Sequence, residues 1–160
     1  DANDDLVLSN VYFEDIVCDE HLTRTSIRNV RDLELLVNKD DPRSRFYEAI
    51  TRSNLLKRGV GTTEEVIRAF QDRVAMNDRD SEQKMYCCIN LAVLTRDITW
   101  FIKGATLFPN RAGECYFYAY KCSENPKFLK LAYKHRVLGP RKMPVDKSVY
   151  DLLKKMKMNE

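Results

Sequence analysis

Glycine and proline are scarce in this chain, with five of each in 160 residues. That excludes a turn-dense β-sandwich or a Gly-rich linker, since both depend on residues with special backbone freedom. A regular cysteine pattern is lacking too, and the count of five is odd. Cys18, Cys87, Cys88, Cys115 and Cys122 follow no regular spacing, so a disulfide framework is not expected. Free thiols suit a reducing compartment. Long unbroken apolar runs are missing too. The most apolar region, residues 85–108, is interrupted by the polar Asn90 and by Arg96, Asp97 and Lys103, and a bilayer-spanning helix would have to bury those three charges. No apolar stretch follows a basic one at the start, so no signal peptide is expected here. An opening Asp in place of Met fits an excised or processed piece. These absences point to an intracellular protein, cytoplasmic or nuclear, with no membrane partner.

Signatures of chemistry are equally thin. Neither G-x-x-x-x-G-K-[ST] nor G-x-G-x-x-G occurs. Gly59-Val60-Gly61 leads into Thr62 and reads as a turn between helices. Cys18 and His21 form C-x-x-H, but Cys115 and Cys122 have six residues between them. Structural zinc usually shows two tight ligand pairs, so neither a metal nor another cofactor is expected. The two histidines, His21 and His135, sit in no nucleophile motif. Asp40-Asp41 and Glu64-Glu65 lie at expected helix starts, where the macrodipole accounts for them. No residue is nominated as catalytic, and the reading leans away from an enzyme.

What is present is helical patterning in a composition suited to folding, 44% hydrophobic and 32% charged. Tyr12 and Ile16, then Phe13 and Val17, are spaced by four. Ile27, Val30, Leu33 and Val37 form a second stripe, over about 25–37. Asp41-Pro42 opens a third helix, which ends at Lys57-Arg58-Gly59. Thr62 and Glu65 have the capping-box spacing, with Val66, Ile67, Phe70 and Val74 behind them. Ser81 is the expected cap of a helix over 82–103. That helix is apolar on more than one face and is expected to be central and buried. Residues 115–122, rich in aromatics, are the best strand candidate, with a helix packed at a surface as the alternative. Pro126 opens another helix, with Phe128, Leu131, Ala132 and His135 on one face, and Asp146 caps a last one carrying Val149, Leu152, Leu153 and Met156. The fold class expected is mainly α: one helical-bundle domain over 1–160, of about six to seven helices, with at most a short strand near 115–122. Residues 1–8 are expected to fray, 9–108 to form the helical core, and 109–160 to pack on it as a basic part.

Charge is unevenly placed. Residues 120–160 hold 11 Lys/Arg against 4 Asp/Glu, and residues 1–119 hold 16 against 20. Tyr118, Lys121, Lys127, Lys130, Lys134 and Arg136 interleave ring and cation. Stacking rings with phosphate-binding cations are one way to hold single-stranded nucleic acid or RNA. The other reading puts the rings in the core and the lysines in water.

Residues 12–80 resemble a death-fold domain of the death-effector type. The likeness rests on Leu22-Thr23-Arg24-Thr25-Ser26-Ile27-Arg28-Asn29-Val30-Arg31-Asp32-Leu33-Glu34-Leu35-Leu36, on Phe46-Tyr47-Glu48-Ala49-Ile50 with Asn54-Leu55-Leu56, and on Val66-Ile67-Arg68-Ala69-Phe70. It covers half the chain and leaves the last 80 residues outside. It implies a binding module that assembles with similar domains. The sequence therefore points first to a non-enzymatic protein-interaction, adaptor or self-assembly domain. Arg24, Arg28 and Arg31 on one helix oppose in sign Glu64, Glu65 and Asp72 on another, and such faces steer association. The second reading is nucleic-acid binding through the basic aromatic region.

Overall fold

The computed structural model describes residues 30–135. Among them seven α-helices follow one another, with one 3-10 turn and no strand. They are α1 (Val30–Leu36), α2 (Pro42–Leu56), α3 (Thr63–Ala75), α4 (Ser81–Thr95), α5 (Thr99–Leu107), α6 (Ala112–Ser123) and α7 (Pro126–Lys134). The 3-10 turn, Pro109–Arg111, leads into α6. The mainly helical class expected from the sequence is the one observed. The stripe Tyr12–Ile16 and the helix expected after Asp146 lie outside the described residues.

Local chemistry sets most helix starts. The Asp41 carboxylate accepts from the Ser44 N–H at 2.9 Å, and Pro42 fills the first turn of α2. At α3, Thr62 Oγ1 accepts from the Glu65 N–H at 3.2 Å, and Glu65 accepts in return from the Thr62 N–H at 3.0 Å. The link before it turns on Gly59 and Gly61, whose φ values of 83° and 89° disfavour a side chain. Asp80, not Ser81, caps α4, accepting from the Gln83 N–H at 3.0 Å. Asn125 caps α7 ahead of Pro126.

Two expectations are corrected. The helix expected over 82–103 is two helices, α4 and α5, because Arg96 adopts a left-handed conformation with φ 55°. Asp97 then restarts the helix by accepting from the N–H and hydroxyl of Thr99 at 2.9 and 2.7 Å. Those bonds hold its carboxyl below the ordinary value. The strand candidate at 115–122 lies inside α6, so the helical alternative holds, with Tyr116, Tyr120 and Lys121 half-buried on its outer side. Cys115, Phe117, Tyr118 and Ala119 are buried. The strand preference of the rings yields to burial against the helices on either side.

Packing runs in chain order. Each described helix packs chiefly on its neighbours in sequence, so α1 rests on α2 at one end of the series and α7 on α6 at the other. One core nonetheless runs from α2 to α7, including Phe46, Phe70, Ile89, Phe101 and Phe117. The Phe46 ring meets Tyr86 edge-on at 5.8 Å and ties α2 to α4. Gly104 lets α5 close on both sides, since a Cβ there would lie 3.3 Å from Cys88 Cβ and 3.4 Å from Cys115 Sγ. By contrast α1 has no buried residue, and Val30 and Leu35 are 48% and 64% exposed.

Candidate interaction surface

Helix α7 is divided sharply between two faces. At 3.6 residues per turn, Lys127, Lys130 and Lys134 fall within an arc of about 60°. Phe128, Leu129 and Ala132 lie on the opposite side. The three lysines are exposed and the three apolar residues buried. No Asp or Glu occurs in this helix, PKFLKLAYK. Lys127 Nζ lies 5.0 Å from the centre of the Phe128 ring, and on α6 the half-buried Lys121 lies 5.3 Å from that of Phe117. Both ammonium groups thus stand over the faces of core rings, within cation–π range. None of Lys127, Lys130 and Lys134 has an ion-pair partner among the described residues.

Two arginines elsewhere show the opposite treatment. Arg73 is fully buried, and its guanidinium donates to both oxygens of Asp78 at 2.9 Å and to Gln83 Oε1 at 2.7 Å. Burial pushes the Asp78 carboxyl up, but Arg73, the Asp80 N–H and Lys84 outweigh it and hold it below the ordinary value. Arg111 is 2% exposed and bonds Glu114 at 2.9 and 2.8 Å and Glu82 at 3.0 Å. A buried cation needs such partners, whereas an exposed lysine does not. Sequence reasoning passed over both arginines. The signal for Arg73 was its place in the stripe of Val66 and Phe70, at i+7 and i+3.

The remaining expected site residues scatter. Arg31, Glu64 and Asp72 are exposed, but on α1 and α3, which are not principal packing partners. Glu65 is occupied by the capping box and by Arg52, 3.5 Å away. Arg24, Arg28 and Arg136 lie outside the described residues. Tyr118 is corrected as a stacking residue: it is 1% exposed, with its ring 5.7 Å from that of Phe101 in the core.

The thiols are placed for packing. Burial pushes Cys88 up to about 12 and raises Cys87 and Cys115 strongly as well, which suppresses the nucleophilic thiolate. Among the described residues no three His, Cys, Asp or Glu side chains gather to hold a metal ion. Cys18 and His21 lie outside those residues. No described helix is long and apolar enough to cross a membrane. No protein-family model, curated protein or solved structure matches the chain.

Proposed function

We propose that this chain is a non-enzymatic protein-interaction module whose lysine face on α7 takes an acidic surface of a protein partner. One observation carries the reading. Lys127, Lys130 and Lys134 share a single exposed face of one helix that holds no carboxylate. Like charges held side by side repel one another, and an acidic partner relieves that repulsion. Complementary charge also speeds encounter and selects partners. The resemblance of residues 12–80 to death-effector domains supports the same class, because it implies assembly with other proteins. Nucleic acid is the competing partner. It would keep the lysines for phosphate contacts but lose Tyr118 as a stacking ring.

The test is Lys127→Gln, Lys130→Gln and Lys134→Gln together, read against poly-L-glutamate and single-stranded poly-U. Exposed charges contribute at most about 1 kcal/mol each, so the melt should barely move. Affinity for poly-L-glutamate should fall by about tenfold or more, equivalent to about 1.4 kcal/mol. Unchanged binding in the triple variant overturns the proposal. So does tighter binding of poly-U than of poly-L-glutamate by the parent, with a salt slope reduced by about 0.7 per lysine lost.

A further inference from the structure

Gly104 marks a meeting point of sulfur. A Cβ at that position would lie 3.4 Å from Cys115 Sγ, 3.3 Å from Cys88 Cβ and 3.4 Å from Met85 Cγ. No atom of the helices packed on α5 lies nearer, and each of the three is a sulfur or is bonded to one. Only five Cys and five Met occur in 160 residues, so three at one point is a concentration that filling the core does not require. Met85 and Cys88 stand one turn apart on one face of α4, and Cys115 reaches the same point from α6. All three are completely buried, at 0% exposure.

We infer that Cys88, Cys115 and Met85 form a binding site for one soft monovalent metal ion, Cu(I), beside Gly104. Thiolate and thioether donors are soft and select Cu(I) over harder cations. Zinc in a closed site takes four tetrahedral ligands, and among the described residues no three His, Cys, Asp or Glu side chains gather to supply such a set. A disulfide is the other use of two thiols, but it would draw the sulfurs to about 2 Å. Cys88 and Cys115 stand on helices that each pack chiefly on α5, which lies between them. An ion bridges more widely, through two bonds of about 2.3 Å each. Such bonds are still shorter than a carbon contact, so an ion fits beside Gly104 where a methyl is crowded. Binding breaks two S–H bonds, forms two S–Cu bonds and releases two protons to water, while the copper stays monovalent. Burial opposes both thiolates and Glu114 opposes that of Cys115, but Lys103 favours the thiolate of Cys88 and Arg111 that of Cys115. The inference is independent of the α7 surface.

The test adds the full chain, under ascorbate, to the coloured complex of Cu(I) with bicinchoninate. A sealed site loads only as the helices open locally, so each mixture is followed until its colour is constant. The parent should withdraw one Cu(I) per chain, and its melting midpoint should rise with the ion bound. Cys18→Ser, Cys87→Ala and Cys122→Ser together should leave that uptake in place. Cys88→Ala or Cys115→Ala should abolish it. Met85→Leu keeps volume and apolar character, so it should fold yet hold the ion less tightly. X-ray absorption at the copper edge should show sulfur neighbours at about 2.3 Å and no nitrogen or oxygen. No uptake by the parent, uptake lost from the folded triple variant, or uptake unchanged in Cys115→Ala overturns the inference. If the alanine variants do not fold, Met85→Leu and the absorption spectrum of the parent decide. Unchanged affinity in Met85→Leu, or nitrogen or oxygen bound to the copper, overturns the inference as well.

Discussion

The Arg111 guanidinium lies 3.0 Å from the Glu82 carboxylate, an ion pair that joins the turn before α6 to the first turn of α4. Its other edge is held in two-point contact by Glu114. All three residues are buried, so truncating the cation would strand two carboxylates away from water. Arg111→Met should cost about 3–5 kcal/mol, the usual penalty for breaking a buried ion pair from one side. Arg111→Lys should recover little, because an ammonium cannot reproduce the planar fork. Urea denaturation of the three proteins checks this. A loss under about 1 kcal/mol in Arg111→Met would show that the network is not the clasp between these elements.

Asp78 gives the fold an acid limit. Its carboxyl is held below the ordinary 3.8 by Arg73 and the Asp80 N–H, against the opposing effect of burial. A depressed carboxyl contributes stability that is fully present above its unfolded pKa and lost as pH falls through the lower folded one. Asp78→Asn should therefore melt below the parent at pH 7, by about 1.5–3 kcal/mol for a charged hydrogen bond. The gap should narrow steadily below the ordinary carboxylate value. Thermal melts at several pH values from neutral to strongly acidic read the effect, and a gap independent of pH would assign the loss to something other than the charge.

Capping chemistry was legible in the sequence because it is local. Thr62 with Glu65, Asp41 with Pro42, and Pro126 all act within one turn, and each helix begins where its signal stands. The break at Arg96 was not legible, because a left-handed non-glycine residue leaves no composition signal. Only Asp97 with Thr99 marked the restart. Helix α6 was obscured by strand-favouring rings whose fate depends on neighbouring helices. At the surface, the lysines of α7 were legible as a group through their spacing. Tyr118 was not separable from them, because whether a ring faces core or water depends on what packs beside it.

Gly113 marks the closest approach in the C-terminal half. A Cβ there would lie 2.7 Å from the His135 carbonyl oxygen and 3.2 Å from that of Ala132. These are backbone atoms at the end of α7 and cannot swing aside. Gly113→Ala would gain about 1 kcal/mol in helix propensity, but overpacking typically costs about 1–3 kcal/mol. Net destabilisation is expected, with α7 losing protection in hydrogen exchange before the rest of the fold. Equal or greater stability would mean that α7 moves off α6 without penalty, and with it the lysine face.

Thr51 offers the reverse case, a substitution that should stabilise. It is completely buried in α2, and its hydroxyl oxygen has no hydrogen-bond partner. A buried unsatisfied polar group costs about 1–3 kcal/mol relative to one that is paired or absent. Valine matches the shape of threonine and removes the hydroxyl, and the two have similar helix propensity. Thr51→Val should raise stability by about 1 kcal/mol. Thr95 is the control, since its hydroxyl donates to the Leu91 carbonyl at 2.7 Å, so Thr95→Val should bring no such gain. Paired thermal melts at neutral pH decide the matter. A destabilised Thr51→Val beside a neutral Thr95→Val would mean that the Thr51 hydroxyl has a partner in solution, and that α2 packs less tightly there than its burial implies.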